Sequence, residues 1–299
     1  MMRLIQALAL LAVLGLFVFW ALTVPHVPAP PALPTQVANP DNGKLLFNAG
    51  GCMSCHAAGP GVADAAAGLP VGGKPLITPI GILYPPNLTP DPETGLGHWS
   101  VGDFYLAMHE GLTPQGHNLI PAFPYTSYAR MPPEDVADLW AYLKSLPATQ
   151  NAVPQHAVVG LPVVRRGLTL WKWVAFDRAP WKPDAAQSAT WNRGSYLVNG
   201  PGHCNECHTP RTFYLALDYS RQFMGGPHPD GKGKVPSLRG LVERARYKDV
   251  ADLVSAFQNG EALGYEHMAS GGMGEVQSNL AKLPEADLKA IAEYVLSWK

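Results

Sequence analysis

The chain has 299 residues and a formal net charge of −1 at pH 7, which gives no electrostatic case for nucleic acid and leaves room for two domains that each bury a core. Only 15% of the residues are charged, and 30 glycines with 30 prolines predict much ordered loop between short helices.

The first element is apolar. Leu4 to Val24 carries no charge over 21 positions; as a helix rising 1.5 Å per residue it reaches about 31 Å, the thickness of a bilayer core. A cleaved signal peptide is the competing reading, but its apolar core would run about 7–15 residues to a small-residue cleavage site, and no convincing site is present. Arg3 precedes the segment and the next Lys or Arg is Lys44, so the positive-inside bias keeps the N-terminus in the cytoplasm and exports the rest. Residues 1–24 are therefore expected to anchor the chain in the inner membrane, with the bulk in the periplasm. Residues 25–40 are rich in proline and predict an extended stalk of roughly 50 Å at most, at about 3.1 Å per residue.

The segment 41–147 opens with Asp41-Asn42-Gly43-Lys44-Leu45-Leu46-Phe47, a capped apolar helix that leads into Cys52-Met53-Ser54-Cys55-His56. A Gly- and Pro-rich loop follows, through Gly72-Gly73 and Pro86-Asn87-Leu88. Ser100 and Asp103 predict a capped second helix that stops before Gly111. Pro132-Pro133-Glu134-Asp135 starts a third, whose Val136, Leu139, Trp140 and Leu143 form one apolar stripe before Pro147.

The segment 148–190 reads as an interdomain strap. Within it, Leu161 to Phe176 mixes Arg165, Arg166 and Lys172 with bulky apolar residues, which also fits an amphipathic helix lying on lipid or on a partner subunit. Solvent access at Trp171, Trp173 and Phe176 discriminates between the two.

The order of the first half returns in 191–299. Gly194 to Val198 leads into Cys204-Asn205-Glu206-Cys207-His208, Pro236-Ser237-Leu238 takes the place of Pro86-Asn87-Leu88, and Lys248 to Gln258 predicts the middle helix. Pro284 opens a last helix with Leu288, Ile291, Ala292 and Val295 in the same stripe. In both halves 86 residues separate the motif histidine from an aromatic of the last helix, His56 to Tyr142 and His208 to Tyr294. An internal duplication accounts for this.

The two C-x-x-C-H runs carry the chemistry. On one helical turn the thiols can add across the two vinyl groups of a haem while the adjacent imidazole faces the iron. A structural zinc site wants four N or S ligands in one cluster, whereas the two pairs lie about 150 residues apart. A thioredoxin-like pair needs no following histidine. The four cysteines are used up in the two motifs, leaving none for a disulfide or a separate nucleophile. Two covalently bound haems c are expected, on Cys52, Cys55 and His56 and on Cys204, Cys207 and His208.

A low-spin electron-transfer haem needs a sixth ligand. In the second half Met273, on the glycine-rich stretch Gly271-Gly272-Met273-Gly274-Glu275, is the first candidate, ahead of Met268 and Met224. In the first half the equivalent slot falls on Pro121-Ala122-Phe123-Pro124-Tyr125, without a methionine. Met131 is preferred there, with Met108, His117, His109 and His98 as alternatives.

The stretch Pro86-Asn87-Leu88-Thr89-Pro90-Asp91-Pro92-Glu93-Thr94-Gly95-Leu96-Gly97-His98-Trp99-Ser100, with Ile120 to Tyr125, Glu134-Asp135-Val136, Gly202-His203-Cys204 through Thr209-Pro210-Arg211, and Met273-Gly274-Glu275-Val276, resembles the multihaem cytochrome c subunits of bacterial membrane-bound alcohol, gluconate and related dehydrogenases. The resemblance implies an all-α chain of two tandem class I cytochrome c domains with long loops, beside the N-terminal transmembrane helix. It implies an electron-transfer subunit that takes electrons from a periplasmic dehydrogenase to a quinone, a small cytochrome or a terminal oxidase of the respiratory chain. Such subunits commonly carry three haems, against two motifs here, and many have a methionine ligand where Phe123 stands. The rival is a dihaem enzyme, peroxidase-like or thiosulfate-oxidising, with one open haem site; a cysteine sixth ligand is excluded because no fifth cysteine exists. A third reading is an assembly subunit whose haems only stabilise the fold.

Overall fold

The computed structural model describes residues 1–24, 26–31, 37–62, 68–228, 233–260 and 272–299. Helix α1, Met2–Leu22, has none of its residues buried and is long and apolar enough to cross a membrane, with a mean hydropathy of 2.4 over its most apolar 18-residue window. Pro40 takes the first position of α2, Pro40–Ala49, where its missing N–H costs nothing. The Asn39 side chain caps the free amides of Asp41 and Asn42 at 3.0 and 3.3 Å. The first cysteine motif is itself α3, Cys52–His56.

Two short strands, β1 (Leu76–Thr78) and β2 (Gly81–Leu83), then form an antiparallel hairpin that β3 (Ala157–Val158) extends in the order β1-β2-β3. Helix α4, Val101–Glu110, has the expected capping box between Ser100 and Asp103 and ends on Gly111 at φ +59. A β-carbon on Gly111 would sit 2.5 Å from the Tyr125 ring, so this turn admits only glycine. Helix α5 (Tyr125–Tyr128) and helix α6 (Pro133–Ser145) follow. The segment read as a strap holds β3 and a 15-residue helix, α7 (Leu161–Ala175).

The second half contributes α8 (Ala189–Asn199), α9 (Asn205–His208), the pair β4 (Gly226–Pro227) and β5 (Lys234–Val235), α10 (Val250–Asn259), α11 (Met273–Leu280) and α12 (Glu285–Leu296). The all-α expectation is thus corrected to a mainly helical chain with short antiparallel strands. Each strand is two or three residues long, too short for a period-2 pattern to register in the sequence.

One glycine in each half lets two helices cross in contact. A β-carbon on Gly43 of α2 would lie 2.0 Å from the Asp138 carbonyl oxygen and 2.8 Å from Tyr142 Cβ; on Gly194 of α8 it would lie 1.9 Å from the Ala290 carbonyl oxygen and 2.9 Å from Tyr294 Cβ. Both crossings are pinned by carboxylates. Asn42 Nδ2 donates to Asp135 and Asp138 at 2.9 and 2.8 Å, and Arg193 forks onto Asp287 at 2.8 and 3.1 Å. The tyrosines that sequence counting aligned, Tyr142 and Tyr294, therefore occupy the same place in the two halves.

A single buried apolar cluster runs through both halves, from Leu46, Phe47, Val136 and Leu139 to Leu197, Phe257, Leu288 and Val295. Polar contacts join them as well: Tyr196 Oη donates to Asp135, and Glu206 accepts from Thr126 Oγ1 at 2.5 Å and Ser127 Oγ at 3.0 Å.

Helix α7 is inside out. Its only fully buried side chain is Lys172, whose ammonium donates to the carbonyls of Glu110 and Gly111 and, at 2.7 Å, to Asn118 Oδ1. Burial pulls the Lys172 pKa down to about 7, only partly offset by the Glu110 carboxylate.

Gly194→Ala is expected to lower stability by about 1–3 kcal/mol through helix overpacking. Gly167→Ala in α7, where an added methyl meets nothing within 4 Å, should leave the midpoint unchanged or raise it; thermal unfolding of the two holoproteins decides. A pH dependence also follows. Lys172 is protonated below about pH 10 in the unfolded chain but only below about 7 when folded. Folded stability is therefore highest above the unfolded pKa and is lost as pH falls through that window. Lys172→Met should flatten the unfolding midpoint against pH between about 7 and 10, and an unchanged slope would refute this assignment.

Candidate functional site

Each cysteine motif is bounded by a backbone feature that lets it turn at once. Gly51, at φ +56, caps α3, and the Ser54 amide donates to the Gly51 carbonyl at 2.8 Å. The single turn puts Cys52 and Cys55 three residues apart on one face. In the second motif Cys204 precedes α9, and the His208 amide donates to the Cys204 carbonyl at 2.9 Å.

The histidines are held in the same way. His56 Nδ1 lies 2.8 Å from the Pro86 carbonyl oxygen and His208 Nδ1 lies 2.9 Å from the Pro236 carbonyl oxygen. A carbonyl can only accept, so in each neutral ring the proton is on Nδ1 and the lone pair is on Nε2. Burial lowers the pKa of His56 to about 4, against the pull of the Pro86 hydrogen bond, and lowers that of His208 for the same reason. Both rings are thereby kept neutral.

The loops that supply the carbonyls match position by position. The Gly72 amide donates to the His56 carbonyl at 2.8 Å, and Gly225 to His208 at 2.7 Å; Leu88 donates to Pro70 at 2.8 Å, and Leu238 to Phe223 at 2.9 Å. Gly72 and Gly225 sit at φ +75 and +73, each with a virtual β-carbon 2.5 Å from the carbonyl oxygen of Pro85 or Val235. Asn87 fixes the first loop by donating to Thr94 Oγ1 and the Thr149 carbonyl at 3.1 and 2.8 Å.

This arrangement fits a covalently attached haem. In each half two thiols share a turn, one imidazole presents Nε2, and the first cysteine packs against the apolar cluster. Burial raises the Cys52 and Cys204 thiols to about 12, so both are neutral at the chain's working pH.

The sixth-ligand candidates separate by burial. Met131 and Met108 are both in the apolar cluster that Cys52 and Met53 pack against. His109, stacked on Tyr105 at 4.0 Å between ring centroids, is buried with no partner at Nε2, whereas His98 and His117 are exposed. Phe123 packs at a tilt against Tyr128, with 5.3 Å between ring centroids. In the second half Met224 is 52% exposed, and Met268 lies outside the described residues. Met273 is half-buried and opens α11 instead of sitting on a loop. The glycines around it concealed a helix start.

The contacts that sequence reasoning missed lie between the two motifs. His203 Nε2 is 3.1 Å from the Gly50 carbonyl oxygen. Asn279 of α11 donates to Ser54 Oγ at 3.0 Å, and Lys74 bridges the Ser54 carbonyl at 2.9 Å to Glu275 at 2.6 Å. No periodicity signals polar contacts made across more than a hundred residues.

A family model described as cytochrome c matches residues 40–147. The chain is 37% identical over 96% of its length to a diheme cytochrome c-type protein of Cereibacter sphaeroides, covering 95% of that protein. It is 34% identical over 85% of its length to the gluconate 2-dehydrogenase cytochrome c subunit of Pantoea cypripedii, and 31% identical over 91% to the fructose dehydrogenase cytochrome subunit of Gluconobacter japonicus. It spans only 58% and 56% of those two proteins. With attachment turns, histidine anchors and relatives in agreement, the chain belongs to the cytochrome c family and carries covalently bound haem c.

Proposed function

We propose that the chain is a dihaem c-type cytochrome that passes electrons from a periplasmic dehydrogenase towards the respiratory chain. Two haems c are held, one by Cys52, Cys55 and His56 and the other by Cys204, Cys207 and His208, in cytochrome c domains spanning 41–147 and 191–299. Met131 and Met273 are the sixth ligands. Helix α1 is the inner-membrane anchor, with the N-terminus in the cytoplasm and residues 25–40 as a stalk. The acceptor is a quinone, a small cytochrome or a terminal oxidase. Relatives named as cytochrome subunits of gluconate, fructose and alcohol dehydrogenases support a dehydrogenase as donor.

The observation that carries this reading is the direct contact between the two attachment turns. His203, next to Cys204, bonds to Gly50, two residues before Cys52. A β-carbon on Gly50 would lie 3.3 Å from the Pro201 carbonyl oxygen and 3.5 Å from Cys52 Sγ. Haem c, once attached, supplies a one-electron ferrous/ferric couple. The chain's own part is to anchor both imidazoles, exclude water with one shared apolar cluster, and hold the two turns together. Electron transfer between two centres needs them close together, and the contact between the two turns supplies that.

The mass of protein matured in its own host should exceed that of the polypeptide by two haems; a polypeptide carrying one haem or none refutes the count. Optical and EPR spectra of the ferric protein should show two low-spin centres, while a stable high-spin first centre with peroxide turnover would favour the dihaem enzyme instead. Met273→Ala should remove the sulfur-to-iron charge-transfer band of one haem, about half the total amplitude, because a single axial thioether is lost. A band retained in full would exclude Met273 as a ligand.

A further inference from the structure

The exposed face of α7 is the surface that the relay leaves unexplained. Val163, Gly167, Leu170 and Val174 recur at helical spacing and form one stripe, opposite the buried Lys172. Val163 and Val174 are 56% and 74% exposed, and the neighbouring Trp173 is 62% exposed. The inward side carries the helix's polar contacts. There Asn118 donates to the Arg165 carbonyl at 2.8 Å and to Thr169 Oγ1 at 2.9 Å, beside the bonds of Lys172. Trp171 also turns inward, donating to the Tyr214 carbonyl at 2.8 Å, and Phe176 is buried. A soluble surface helix has the opposite polarity.

The apolar surface continues onto the sheet that leads into α7. Val159, directly after β3, is 96% exposed, and Ile77 and Ile80 of the β1–β2 hairpin are 66% and 47% exposed. What covers this face is indicated by the end of α1. The Arg166 guanidinium lies 3.8 Å over the Trp20 ring and donates to the Trp20 carbonyl at 2.6 Å and to Thr23 Oγ1 at 3.1 Å. Tryptophan at the end of an apolar span is a membrane-interface residue, so α7 is tied to the depth at which α1 leaves the hydrocarbon. The helix has no acidic residue, so no carboxylate on it opposes an anionic lipid surface.

We propose that α7, with Val159 and the tip of the β1–β2 hairpin, rests in the headgroup region of the bilayer that α1 spans. Val163, Leu170, Trp173 and Val174 dip towards the acyl chains. This placement rests on α1 being retained as a span. It gives the chain a second membrane contact, which fixes the orientation of the first half on the lipid surface as one anchor alone could not.

The test is photocrosslinking of the full-length holoprotein in its native membranes, with benzoylphenylalanine placed singly at Val174, at Leu14 in α1, and at Val242, which is 42% exposed in the second half. Adducts are identified by mass. Phospholipid adducts at positions 174 and 14 but not at 242 are expected. Lipid adducts at 14 with none at 174 overturn the proposal and leave the anchor standing. No lipid adduct at either position overturns both. An adduct of 174 to a second polypeptide shows that a protein covers this face, and also overturns the proposal.

Discussion

One hydrogen bond is made twice in this chain, from a buried imidazole Nδ1 to a proline carbonyl, and the loops around both cysteine motifs depend on it. A buried polar group left without a partner costs about 1–3 kcal/mol, so the ring takes the one acceptor in reach. In doing so it fixes its own tautomer and orientation and leaves Nε2 facing the site. The acceptor must itself be immobile. That is why Gly72 and Gly225 adopt left-handed conformations against the proline loops, and why Asn87 ties the first loop to Thr94 and Thr149. The glycines, the asparagine and the prolines serve a geometry centred on two nitrogens.

The second constraint is that the halves are not independent. Each builds its own helix crossing around a glycine, but the apolar cluster is continuous between them and the polar bridges are buried or half-buried. Glu206 shows the consequence. It is 8% exposed and lies within the second cysteine motif, yet its carboxylate is satisfied by Thr126 and Ser127 of the first half together with Arg211 of its own. Separating the halves would break the Thr126 and Ser127 bonds and leave Arg211 alone of the three partners, which disfavours any state in which one half moves alone.

The sequence made some of this legible and hid the rest for identifiable reasons. The capping box of α4, the stripe of α6 and the motif turns could be read because each is a local pattern of a few residues. The shared spacing of His56–Tyr142 and His208–Tyr294 was legible, and the two helix crossings account for it. The strands were too short to show a period, and α11 begins among glycines that predict a loop. His203, Ser54 and Asn279 gave no signal because their partners are remote in sequence and their types are common on surfaces.

Helix α7 shows how a local pattern can be right in form and reversed in direction. Its amphipathic spacing was visible, but hydrophobicity alone assigns the apolar stripe to the interior. The deciding force is at the end of α4. The Glu110 carbonyl has no partner within the helix, and the Lys172 ammonium fills that need where the helix dipole also favours a cation, reaching as well the Gly111 carbonyl that already accepts from the Leu119 amide. A lysine committed to the inside turns the rest of the helix with it, so Val163, Trp173 and Val174 are left facing outwards. The exposed apolar face is therefore a consequence of capping one helix with another helix's cation, and Arg166 ties that same helix to the end of α1.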